Sequence, residues 1–189
     1  KWGGVDDVKD EFKYLKWKSY RITDLFIDKR GNQNNMKALK NGNTPLVSAK
    51  NDGNGYKAFV HSMSQEFKGN CITLNNDGDG GAGLAYYQPC NMFVDSHVTV
   101  LYPKFQISKS TMLFIAKSIS KQRVLFGHGH SISNSRLHGL SILLPAKSDG
   151  TPDYAFMEKY MKRQESKLLG LYAANKLKEY QSEEDSRML

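Results

Sequence analysis

Seven side chains near the C-terminus, Tyr154, Met157, Met161, Gln164, Leu168, Leu171 and Asn175, recur at alternating spacings of 3 and 4. That is a heptad seam of about three repeats, a pattern that only a long helix presents on one face. Just before it, Lys147-Ser148-Asp149-Gly150-Thr151-Pro152 reads as a turn, with Thr151 suited to cap a helix and Pro152 to its first turn. The expected division is a globular body over 1–148 and a helical spacer or dimerisation segment over 149–189. Gln164 and Asn175 weaken such a seam but can fix its register. The same spacing also suits an amphipathic helix folded back on its own body.

A chain of 189 residues has room for one packed domain with an appendage. Its charge is uneven: residues 1–150 hold 20 Lys and Arg against 12 Asp and Glu, while residues 151–189 hold 7 of each, so the whole excess of +8 lies in the body. A basic body on a neutral tail points to a polyanionic partner for the body and a protein partner for the tail. A net charge of this size also serves solubility alone. No apolar run approaches the roughly 20 residues that span a bilayer, so no membrane association is expected. The chain begins Lys1-Trp2-Gly3-Gly4, without an initiator Met or an apolar leader, as expected of a trimmed chain or a piece of a longer one. Cys71 and Cys90 have neither zinc-site nor disulfide spacing, which fits a cytoplasmic protein.

Along the body, Val5, Val8, Phe12 and Leu15 have the period of a short amphipathic helix. Apolar residues of 20–27 lead to a polar stretch, 29–35, expected to be a loop. Strand-like runs follow at 45–49, 56–60, 71–74, 84–87 and 97–102, each bounded by Gly, Asn, Asp or Pro. Over 108–122 the period changes to that of a helix, with Met112, Ile115, Ala116 and Ile119 on one face and Ser108 or Ser110 at its start. A loop over 126–134 precedes a last strand over 140–145. The fold class expected is mixed α/β (α+β): a mainly β core with helices, followed by a long C-terminal coiled-coil helix.

Catalytic constellations are weak. Gly78-Asp79-Gly80-Gly81-Ala82-Gly83 matches a dinucleotide fingerprint, but strand-like residues follow it where a phosphate-binding helix is needed. Asn75, Asp77 and Asp79 imitate the start of a calcium loop, whose twelfth position here is Tyr86 instead of Glu. Asp153 and the Glu165-Ser166-Lys167 triplet resemble nuclease residues, yet twelve residues of one helix separate the carboxylates by about 18 Å, too far to share a metal ion. His128 and His130, with His138 near, have no accompanying carboxylate, which favours a loop or nucleic-acid role over a metal site. No catalytic residue, metal or cofactor is therefore expected.

Three segments do have the residue types of direct base readout, where amides suit adenine, Arg or Lys suit guanine, and glycine permits close approach. The first contains Lys29, Arg30 and Asn32. In the second, Lys50, Asn51, Asn54, Tyr56 and Lys57 surround glycines, and the third runs through Arg123, His128, His130, Ser131, Asn134 and Arg136. Any one of these also reads as an ordinary turn. Together with the charge they favour DNA.

The order of motifs resembles the DNA specificity subunits of type I restriction-modification systems and their BcgI-like relatives. Tyr20 to Phe26 with Gly31 resembles the opening of that family, and Pro45-Leu46-Val47-Ser48-Ala49-Lys50 with Asn51, Gly53, Asn54, Gly55, Phe59 and Val60 its glycine-rich hairpin. Ile72-Thr73-Leu74, Gly78, Gly80 to Gly83, Ala85-Tyr86-Tyr87 and Phe93 are similar to the next strand, loop and strand. The most specific group is Ile142-Leu143-Leu144-Pro145 with Gly150-Thr151-Pro152-Asp153-Tyr154, Phe156, Met157 and Tyr160. The resemblance implies a single target recognition domain that reads half of a bipartite duplex site without catalysing anything. It also implies a methyltransferase partner and, with it, a restriction subunit. One recognition unit in place of the usual two implies a half-subunit that homodimerises through Met157, Met161, Gln164, Leu168, Leu171 and Asn175, or part of a longer chain. Two rivals stay open: the recognition end of a single-chain restriction enzyme and methyltransferase, and a protein-interaction scaffold without DNA function.

Overall fold

Alternation along the central strands builds layers on both sides of one sheet. The computed structural model describes residues 11–77, 81–126 and 131–187. The elements in chain order are β1 (Trp17–Arg21), α1 (Ile22–Leu25), β2 (Phe26–Arg30), β3 (Lys40–Val47), β4 (Tyr56–His61), β5 (Cys71–Asn75), β6 (Ala85–Gln88), β7 (Phe93–Val94), β8 (Val98–Pro103), α2 (Lys109–Ser120), α3 (Asn134–Gly139), β9 (Ser141–Pro145) and α4 (Tyr154–Arg187). Strands β2-β8-β5-β6 form an antiparallel four-stranded sheet, β4-β3-β7 a three-stranded sheet with β7 parallel to β3, and β1-β9 an antiparallel pair.

On one face of the four-stranded sheet, Ile72, Leu74, Leu101 and Phe26 pack against Met112, Ile115, Ala116 and Ile119 of α2, and against Ile142 and Leu144 of β9. On the other face, Cys71, Val98 and Val100 meet Val47 and Val94 from the three-stranded sheet, together with Phe67 and Met92, which bridge to each other outside the strands. Strand β5 is buried along its whole length because both of its faces are covered. Leu46, the neighbour of Val47 and so on the opposite face of β3, joins Val60 and Phe93 in a third cluster with Met36 and Leu39. Mixed α/β is thus the observed class.

The helix expected over 108–122 is α2, and Ser108 caps it, its hydroxyl accepting from Thr111 N at 3.3 Å. The long helix is capped differently from expectation. Asp153 Oδ1 accepts from Phe156 N at 3.0 Å, whereas Thr151 bonds Asp149 and Pro152 bridges to Ala146. Val5 and Val8 of the expected opening helix lie outside the described residues; the Phe12 ring packs at 59° to that of Tyr160, with centroids 4.9 Å apart, tying the N-terminal segment to α4.

The heptad seam divides. Met157 is fully buried in the chain's own core, with Tyr154 and Met161 packed on the same cluster, so the first turns of α4 face α2 and not a partner helix. Beyond Gln164 the helix leaves the body: Leu168, Leu171 and Asn175 are exposed, with Leu168 67% and Leu171 55% accessible. Met157 and Met161 are therefore packing residues of the body, a correction to the dimerisation set. α4 is also the longest helix, yet no helix among the described residues is long and apolar enough to cross a membrane.

Candidate nucleic-acid interface

The three polar segments picked from sequence come together at one end of the layers. The first is not the loop expected: Lys29 and Arg30 end β2, and Asn32 and Gln33 then donate their backbone N–H groups to Val94 O at 3.0 and 2.9 Å. Arg30 Nε donates to Ser96 O at 2.5 Å, while the Lys29 ammonium lies 5.8 Å from the centre of the Tyr102 ring. Gly31 passes so close to the turn after β7 that a Cβ there would lie 2.1 Å from Asp95 O.

That turn also holds the second segment. Buried Asp95 accepts from Ser48 Oγ at 2.8 Å and from His97 N at 3.0 Å. Lys50 O in turn accepts from Asn75 Nδ2 at 2.7 Å and from the Tyr86 hydroxyl at 3.3 Å. The third segment is tied to the same place, since Ile132 N donates to Asn76 O at 2.7 Å. Gly83 has φ 78°, and a side chain there would meet the Phe126 ring at 2.8 Å and Arg123 Cα at 2.9 Å. The residues that join the segments, Asn75, Asn76 and Asp95, are buried, and none was assigned this joining role from sequence, where Asn75 entered only as the start of an imitated calcium loop.

Several predicted contact residues prove to be engaged within the chain. Asn54 has φ 57°, and its amide donates to Tyr87 O at 3.1 Å and to Gln88 Oε1 at 3.3 Å, so it shapes the turn instead of facing outward. Lys50 Nζ donates to Tyr56 O at 3.2 Å and pairs with Asp52 at 3.0 Å. Tyr56 packs on the second core cluster, and burial raises its phenol. Asn134 and Arg136 belong to α3 and not to a loop, and Arg136 donates to Ser131 O at 2.8 Å. Asn32, Asn51, Lys57 and Ser131 present exposed side chains, and Arg123 is exposed on a 3-10 turn. His128 and His130 lie outside the described residues.

His97, also missed from sequence, adds a second ionisable pair to this end. Its Nδ1 is 2.9 Å from Asp77, and the hydrogen bond to that carboxylate holds the imidazole above its ordinary value, against the opposing effects of partial burial and Arg30. Cys71 offers no nucleophile, because burial pushes its thiol up to about 12. Among the described residues no three His, Cys, Asp or Glu side chains gather as a metal site. The chemistry on offer is hydrogen bonding and positive charge.

The sequence family described as type I restriction modification DNA specificity domain matches residues 14–173. The chain belongs to that family. This specificity domain is 32% identical over 168 residues to the type II restriction enzyme specificity subunit S.BcgI of Heyndrickxia coagulans, a match covering 88% of the chain and 48% of the relative. The chain thus spans about half the length of the curated relative it matches. Its fold is similar to that of the type I restriction-modification S subunit of M. genitalium, with a TM-score of 0.57 at 17% identity over 72% of this chain and 36% of that one. It is also similar to the HsdS subunit of Thermoanaerobacter tengcongensis, with a TM-score of 0.57 at 12% identity over 84% and 39% of the two chains. A third match, to a chain from a structure of type I restriction-modification system assembly and conformational transition, has a TM-score of 0.59 at 12% identity over 84% of this chain and 40% of that one. At such identities these structures speak for the fold, which agrees with the layered body and projecting helix.

Proposed function

We propose that this specificity domain binds duplex DNA in a sequence-dependent manner, reads one half of a bipartite site, and holds a methyltransferase, with its restriction subunit where there is one, on that site. The observation that carries the proposal is the meeting of three polar, basic segments at one end of the fold through Asn75, Asn76 and Asp95, in a chain of the specificity family. Lys29, Arg30, Lys57, Arg123 and Arg136 give that end cationic groups suited to phosphates, which supply affinity without sequence information. Its role is recognition, and catalysis belongs to the partner subunits. A second copy, joined through the exposed half of α4, supplies the other half-site.

The test is selection from a random duplex library at about 0.15 M salt, where nonspecific charge binding has faded. The chain is used alone and together with the methyltransferase subunit of its own system. One enriched motif is the expected result. No enrichment in either condition rejects sequence-specific recognition and leaves a protein scaffold as the better account.

A further inference from the structure

Beside the interface described above lies a cleft of about 610 Å³, between the segment Gln33 to Asn35 and the segment His61 to Ser64 at the end of β4. Gln33 braces it. Its buried side chain donates to Asn34 O and accepts from the hydroxyl of Ser62, so one amide ties the two walls together. The far end is set by the hairpin register, which puts Lys40 opposite His61. Gln33 O accepts from Ser96 N at 3.2 Å, and Ser96 O accepts from Arg30, so the cleft shares a residue with the interface.

The contrast with the neighbouring loop is chemical. Asn54 and Lys50 have their polar groups engaged inside the chain, but the side chains of Asn34, Asn35, Lys40 and His61 make no hydrogen bond or ion pair among the described residues. No carboxylate lines the cleft, and Met63 stands 96% exposed at its edge. Asn35 is held at φ 51°, a conformation that an L residue adopts at some cost and that fixes where its amide starts. Braced walls, unengaged amides and donors, a thioether methyl and no negative charge are what reading base edges in a major groove requires.

Resting on the duplex recognition proposed above, we infer that this cleft is the base-reading element of the domain. The amides of Asn34 and Asn35 recognise adenine through N6 and N7, and Lys40 and His61 donate to a neighbouring guanine. The turn 50–55 supports the fold of the interface and takes no direct part in base choice.

The test repeats the duplex selection with Asn34→Ala combined with Asn35→Gly, where glycine keeps the positive φ and removes the amide. Expected is a motif that loses its preference at one or more A·T positions, with affinity for the wild-type site reduced about ten-fold or more and affinity for unrelated duplex unchanged. Asn51→Ala, at an exposed position of the turn 50–55, serves as the contrast, keeping the same motif. If wild type selects a motif and the Asn34/Asn35 variant selects the same motif at unchanged affinity, the cleft is not the reader. If wild type selects nothing, duplex recognition itself fails and the cleft assignment falls with it. Should that variant lose its thermal unfolding transition, Lys40→Ala with His61→Ala asks the same question, with relaxed preference at a G·C position expected and an unchanged motif overturning the proposal.

Discussion

Asn54 shows how a residue type that suits DNA can be committed elsewhere. With φ at 57° and both amide hydrogen bonds directed at Tyr87 and Gln88, it holds the turn that leads into β4. Asn54→Ala removes those bonds and places alanine in a left-handed conformation, so a loss of about 1–3 kcal/mol of stability is expected by denaturant unfolding. Asn51→Ala, at an exposed position a few residues away, is expected to leave the unfolding midpoint unchanged. His97 supplies a second residue-scale expectation. Its folded-state value is raised by Asp77, so the pair's contribution is present below the ordinary imidazole value of about 6.5 and is lost as pH rises through the higher folded value. Proton titration followed by NMR should place His97 above 6.5 in the wild type and lower in Asp77→Asn; equal values in the two proteins would remove the pairing.

Helix α4 runs for 34 residues, about 51 Å at 1.5 Å per residue, and its two ends obey different constraints. The start is capped by Asp153 and packed on α2, and the remainder projects beyond the body. Asp153→Ala should cost about 0.5–2 kcal/mol in thermal or denaturant unfolding, because a backbone N–H of the first turn loses its acceptor. Thr151→Ala, which only loosens the exposed turn with Asp149, should cost less. An equal loss for both would mean that the cap is not where Asp153 places it. The expected Thr151 cap failed for a local reason: the 147–152 turn pairs Ala146 with Pro152, which holds Thr151 back from the helix by two residues.

For the whole molecule, the division of the heptad seam separates stability from assembly. Met157→Ala removes a fully buried side chain from the main core, and a loss of about 2–5 kcal/mol without any change in oligomeric state is expected. Leu168→Glu with Leu171→Glu changes only exposed positions, so stability of the body should stay near wild type, and if the proposed pairing holds, light scattering should report a dimer for wild type and a monomer for the variant. Unchanged mass for that double variant would exclude pairing through this face. One row of heptad positions thus meets two environments, because a helix that leaves a surface carries its stripe past the edge of what it packs on.

Sequence by itself determined the class of the chain, helix α2, the start of the long helix and most of the central strands, but not the end of β2 or helix α3. The periods of α2 and of the strands follow from which residues must face a core, and the motifs of Pro45 to Lys50, Ile142 to Pro145 and Gly150 to Tyr154 carried the resemblance to the family. It also picked out polar segments whose meeting at one end could not be read from spacing. Only the tertiary structure decided that Asn75, Asn76 and Asp95 join them, that Asn54 and Lys50 engage their polar groups with neighbouring backbone, and that Met157 belongs to the body. The physical reason is that periodicity reports which side of an element is apolar, while the partner of a polar group is set by residues distant in sequence. Gln33 meeting Ser62 is such a pair, and no local pattern records it.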